Sequence, residues 1–144
     1  MISVTDEGTG VTTCRVGGVI DPCDTDVILI LAASAAVELA NRHFRYDGMK
    51  GPEQFKISRF QGFLVDSSSS AVQMPSIYTK SNLVVFFENG RHRATVLAGM
   101  MTTVPVLTKH SLAQALRDSW GSKGAALKEY DFSACTNQSL IGHP

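Results

Sequence analysis

Two arginines flank a histidine directly after a glycine in Phe86-Phe87-Glu88-Asn89-Gly90-Arg91-His92-Arg93-Ala94. These residue types in this order suit phosphate recognition. A guanidinium group makes forked, charge-assisted hydrogen bonds to phosphate oxygens. Histidine donates a hydrogen bond or moves a proton near neutral pH. Glycine has no Cβ to keep an anion away from the backbone. If a helix starts at Arg91, its first N–H groups lack intrahelical acceptors and carry the positive end of the helix dipole. Basic residues there oppose that dipole, so Arg91, His92 and Arg93 ask for a compensating anion. The alternative is that the arginines pair with nearby carboxylates such as Glu88. Asn89, Gly90, Arg91, His92 and Arg93 are the candidate phosphate-binding residues.

The flanking sequence supplies elements that would hold such a turn. Leu83-Val84-Val85-Phe86-Phe87 is a continuous apolar run rich in β-branched and aromatic residues, which predicts a buried strand. Asn89-Gly90 signals a turn, and residues 91–98 read as a helix with Ala94, Leu97 and Ala98 inward and Gly99 near its stop. Val104-Pro105-Val106-Leu107 predicts a second strand, with Pro105 at an edge or a strand start. Ser111 is the expected cap of a helix from Leu112 to Trp120 that Gly121 ends. Upstream, Val27 to Leu31 reads as a short strand or the start of a helix, followed by a helix from about Ser34 to His43 capped by Ser34 or Asp26. Phe55 to Phe60 begins with alternation, and its continuation to Val65 suits a short helix with Phe60, Phe63 and Leu64 on one face. Gly17-Gly18 and Asp21-Pro22 mark turns, and Ser67 to Ser70 a polar loop. The tail from Ser133 to Pro144 is polar and expected to be loose. Strand, helix, strand, helix in this order predicts a mixed α/β (α+β) single domain spanning 1–144, with a small mixed sheet flanked by helices.

Composition narrows the function classes. The chain has 144 residues, enough for one core, with 13 basic and 13 acidic side chains and no formal net charge. A neutral chain is not drawn to nucleic acid by its overall field, so attraction to phosphate has to be local. Cys14, Cys23 and Cys135 are odd in number and lack Cys-x-x-Cys spacing, which predicts free thiols in a reducing compartment rather than a disulfide framework or a zinc site. The start of the chain lacks signal-peptide character, and the longest apolar run, from Val27 to Ala36, is about half of what a membrane span needs. No membrane span and a cytoplasmic location are expected.

The stretch from Val84 to Ala94, followed by Gly99 and by Val104-Pro105-Val106, resembles the core motif of the ParB/sulfiredoxin superfamily: an apolar strand, a Gly-x-His-Arg or Gly-x-Arg-Arg turn, a helix ending near glycine, then Val-Pro-Val. The Asn-Gly-Arg-His-Arg variant is most similar to the branch of plasmid fertility inhibition factors. Tyr46, Gly48, Gly51, Ile57, Arg59 and Phe60 follow that branch's upstream pattern, and Met74-Pro75 its proline-containing segment. The resemblance covers roughly residues 44–107. It implies a ParB/sulfiredoxin-like fold, a turn that binds the phosphates of ATP or CTP, and interference with conjugation or type IV secretion. ATPase and DNase (nuclease) activity are also implied, with His92 or Glu88 as the catalytic candidate to activate water. Arg59 and Tyr46 are additional candidates. Implied partners are the nucleotide, DNA, and a protein of a secretion or conjugation system. Arg91 stands where sulfiredoxins carry their catalytic cysteine, so sulfinic-acid reduction is not expected. Glu88 replaces a small hydroxyl residue, and a carboxylate beside a phosphate site calls for an intervening Mg²⁺ ion. Two further readings stay open: a non-enzymatic inhibitor that uses the same fold to bind a protein, and a CTP-dependent switch acting with DNA.

Weaker signals remain. Asp21, Asp24 and Asp26 form an acidic loop cluster, with Asp24 and Asp26 as candidate Mg²⁺ ligands against the simpler reading of a turn and a helix cap. Arg42, His43 and Arg45 form a second basic patch that suits a phosphate or an acidic partner, against the simpler reading of complementing a helix C-terminus. Arg59, between apolar neighbours, is expected near the core, where it needs an anionic partner. Trp120, with Leu112, Ala115 and Leu116 at helical spacing, reads as a packing face. His110 and His143 lack metal-ligand spacing.

Overall fold

The computed structural model describes residues 1–7, 15–16, 19–20, 26–46, 48, 51–66, 70–79, 85–122, 126–136 and 140–141. Among them are ten strands and five helices. β1 is Ile2–Thr5, β2 Arg15–Val16, β3 Val19–Ile20 and β4 Asp26–Ala32; α1 is Ala33–Tyr46 and α2 Gln54–Asp66. β5 (Val72–Gln73), β6 (Ser76–Thr79), β7 (Val85–Asn89), α3 (Arg91–Met100) and β8 (Thr103–Lys109) follow. α4 (His110–Trp120), α5 (Ala126–Glu129), β9 (Tyr130–Asp131) and β10 (Leu140–Ile141) complete the order. The fold is mixed α/β, as the alternation of apolar runs and helical patterns predicts.

The main sheet has the order β10-β4-β8-β6-β7. β4 and β8 form its longest ladder, antiparallel from Asp26↔Lys109 to Ala32↔Thr103. Val27, Ile28, Leu29, Ile30 and Leu31 are all buried. A strand without alternation has to be covered on both faces, and α1 and α4 both pack against β4. The sequence left this run open between strand and helix start. Its β-branched residues settle it as strand, and the alanine-rich segment behind it as helix.

Pro105 lies inside β8 rather than at an edge or a strand start. Its position explains the tolerance. The Leu107 N–H points away from β4 and donates to the Pro75 carbonyl at 2.8 Å. Pro105, two residues earlier, faces the same way, and β8 pairs with β6 only at Ser76↔Leu107. The missing N–H therefore falls just beyond the β6 pairing, and the β4 ladder loses no bond.

α2 is helical from Gln54 onward, so the alternating start at Phe55 is not a strand. Phe60 is buried and Ile57 and Leu64 pack against the core, whereas Phe63 is 38% exposed and stacks on Phe60. β6 had no counterpart in the sequence pattern. Lys109, not Ser111, precedes the first turn of α4, with no side-chain cap. Gly121 ends α4 as expected, its N–H bonding to the Arg117 carbonyl at 2.8 Å.

A second, parallel sheet of order β5-β1-β9 joins the chain ends. The Tyr130 hydroxyl donates to the Thr103 carbonyl at 2.6 Å and ties this sheet to β8. The segment after Ser133 is not loose throughout: Cys135 is buried with its thiol on the Val4 carbonyl, and β10 pairs with β4. β2 and β3 pair antiparallel on either side of Gly17-Gly18, which lie outside the described residues, as do Cys14 and Cys23. No helix among the described residues is long and apolar enough to cross a membrane.

Candidate functional site

β7 carries the chain out of the sheet, Gly90 turns it, and α3 begins at Arg91. Gly90 has φ +84° and ψ +21°, the left-handed region, which a side chain disfavours. Space is also lacking. A Cβ there would sit 2.6 Å from Arg93 Nη2 and 2.9 Å from the Pro75 Cα. No side chain caps the α3 N-terminus. The turn is thus built so that the Arg93 guanidinium lies directly over the backbone at Gly90.

This turn forms one wall of a cleft of about 910 Å³. Asn89, Gly90, Arg91, His92 and Arg93 all line it, so the structure brings the whole predicted turn together in one cavity. α2 supplies the opposite wall through Lys56, Arg59, Phe60 and Phe63. These lie at i, i+3, i+4 and i+7, one stripe of the helix. Lys56, Arg59, Arg91 and Arg93 make the described lining cationic, and it includes no aspartate or glutamate. A chain with no net charge therefore concentrates positive charge at one place.

Each basic group is held differently. The Arg93 Nε–H donates to the Gln73 carbonyl at 3.1 Å. Its Nη2 is buried and has no hydrogen-bond partner. Burial draws its pKa below the usual value, because a desolvated cation is costly without a counter-charge. The Arg91 guanidinium lies 5.0 Å from the centroid of the buried Phe44 ring, a cation–π arrangement. His92 meets the same ring edge-on, with centroids 5.1 Å apart. Its Nε2 accepts the backbone N–H of Glu53 at 3.1 Å. Burial lowers the His92 pKa first, the positive charges of Lys56 and Arg91 lower it further, and the Glu53 carboxylate opposes them. Burial and the neighbouring cations thus favour the neutral imidazole, and its Nε2 lone pair is engaged by the Glu53 N–H.

The other candidates are placed as follows. Arg59 lines the cleft but is exposed rather than near the core, 5.5 Å above the Phe55 ring; Ile57, Phe60 and Leu64 take the inner face of α2 and leave it outward. Asp26 is not at the cleft. It pairs with Lys109 at 2.6 Å across the β4–β8 register. Asp21, Asp24 and the side chains of Tyr46, His43 and Glu88 lie outside the described residues. Arg42 pairs with Glu38 at 2.5 Å along α1 and lies over Trp120. No group of three or more potential metal ligands occurs among the described residues.

Sequence reasoning missed Lys56, Phe44, Glu53 and Gln73. Phe44 and Gln73 reach the turn through contacts distant in sequence that leave no local pattern. Lys56 was legible only once α2 was known to be helical from its first turn. Comparison with protein-family models, with curated proteins and with solved structures finds no match in any of the three.

Proposed function

We propose that the cleft binds the phosphate groups of a nucleotide, ATP or CTP, at Gly90–Arg93. One observation carries this reading. The Arg93 guanidinium is held by a single backbone carbonyl, with Nη2 buried and unpartnered over a glycine that cannot be replaced without a clash. Such a cation, at the positive end of a helix without a side-chain cap, is poised for an anion. The cleft volume of about 910 Å³ is ample for a nucleotide and larger than one phosphate group requires. On this reading the chain acts in the manner of the fertility inhibition factors it resembles, interfering with conjugation or type IV secretion.

The engagement of His92 Nε2 by Glu53 favours binding over hydrolysis. A nucleotide-dependent inhibitor that contacts a protein partner is accordingly the second reading, ahead of an ATPase or nuclease. Calorimetric titration with ATP and CTP, with and without Mg²⁺, tests the proposal on the wild type and on Arg93→Ala. Micromolar to millimolar binding, lost in the folded variant, is expected. Equal affinity in both proteins would sink the assignment.

A further inference from the structure

We propose that His92 is a positioning residue: as a neutral acceptor it pins the first turn of α2 to the phosphate turn and so sets the distance between the two walls of the cleft. The inference rests on reading that cleft as the phosphate site.

A backbone amide only donates, so the contact from the Glu53 N–H to His92 Nε2 at 3.1 Å fixes the ring nitrogen as an unprotonated acceptor. In the neutral ring the proton then resides on Nδ1. Glu53 stands directly before α2, and its carbonyl accepts the N–H groups of Lys56 and Ile57. The bond to His92 therefore acts on the first turn of the helix that presents Lys56, Arg59 and Phe63 to the cleft. It joins residues 39 apart in sequence. On its other side the ring rests against the buried Phe44, which also lies under the Arg91 guanidinium. One aromatic residue of α1 and the amide just before α2 thus both contact His92, and the same aromatic ring lies against Arg91.

The charges around the ring keep it in this role. Lys56 from α2 and Arg91 from its own helix disfavour the imidazolium. The Glu53 carboxylate favours the imidazolium, but it is engaged by Lys56 at 2.9 Å. α1 contributes the uncharged Phe44 at this point. Protonation would turn Nε2 into a donor facing a donor and unpin α2.

Imidazole ¹⁵N NMR on the full wild-type chain at pH 7.5 reads the tautomer directly. The Nδ1–H form is expected; an Nε2–H form or an imidazolium overturns the proposal. Two variants then separate positioning from chemistry. His92→Gln keeps an acceptor at the reach of Nε2, whereas His92→Leu fills the space without one. With folding checked by thermal unfolding, His92→Leu should lose about tenfold in ATP affinity, the worth of one such hydrogen bond, and His92→Gln should lose clearly less than His92→Leu. Equal loss in both variants shows that the imidazole itself is required and overturns the positioning role, while Arg93→Ala still reports on the phosphate site. If the wild type binds neither ATP nor CTP, the phosphate reading fails and this role in binding fails with it.

Discussion

Replacing Gly90 by alanine tests the construction of the turn at a point where geometry gives the magnitude. The residue sits at φ +84°, and the new Cβ would lie 2.6 Å from Arg93 Nη2 and 2.9 Å from the Pro75 Cα. The flexible guanidinium end can swing away, but the Pro75 backbone is fixed by its carbonyl, which accepts the Leu107 N–H at 2.8 Å. A left-handed alanine costs roughly 1–2 kcal/mol and the forced contact roughly 1–3 kcal/mol more, so Gly90→Ala should destabilise by about 2–5 kcal/mol. Thermal unfolding should show a drop on the order of 10 °C for a domain of this size. Gly62 and Gly99 serve as controls, since both lie inside helices with nothing within 4 Å of a Cβ. Alanine at either should stabilise by about 0.5–1 kcal/mol through its lower backbone entropy. A Gly90→Ala protein that melts within about 2 °C of wild type would refute the argument for a tight, left-handed turn.

Other outcomes follow from the same geometry. Asp26 and Lys109 are paired on partly buried side chains at the end of the β4–β8 ladder; a double-mutant cycle in urea unfolding should give a coupling of about 1 kcal/mol, and zero coupling would remove the pair from the account. Desolvation raises the Glu129 pKa, but hydrogen bonds from Thr102 and Thr103 outweigh it and hold it below the ordinary 4.5. Its stabilisation is therefore present above that value and lost as pH falls through the folded-state pKa, so Glu129→Gln should flatten the acid limb of the stability–pH curve and cost about 1–3 kcal/mol at neutral pH. The His92 pKa is also depressed, from 6.5; its share of stability is complete above that pH and declines on acidification, and His92→Gln should abolish this dependence. Burial pushes the Cys135 thiol up to about 11, so peptide mapping after mild alkylation at pH 8 should find it unmodified until the protein unfolds.

The site was legible because its chemistry is contiguous. Asn89-Gly90 announces a turn through its residue types, and the run ending at Phe87 announces the strand before it. The flanking supports were not legible in the same way. Phe44, Glu53 and Gln73 touch Arg91, His92 and Arg93 from three separate segments, and no period in the sequence encodes those meetings. β1 pairs with β5 and β9 through registers such as Val4↔Val72 and Ile2↔Tyr130. Strands of two to four residues give too short a pattern to recognise, and their partners are distant in sequence. Pro105 misled for a local reason: whether its missing N–H matters depends on which neighbour it faces, which only the ladder reveals. Asp26 reads as a loop carboxylate when the register that sets Lys109 opposite it is unknown.

Amide ¹H–¹⁵N spectra recorded while ATP is added address the central claim most directly, because they report on each residue of the turn. The account predicts that the largest shifts fall on the amides of Gly90, Arg91, His92 and Arg93, saturating with a single affinity that Arg93→Ala removes. Shifts absent from this turn, or centred on another surface, would contradict it.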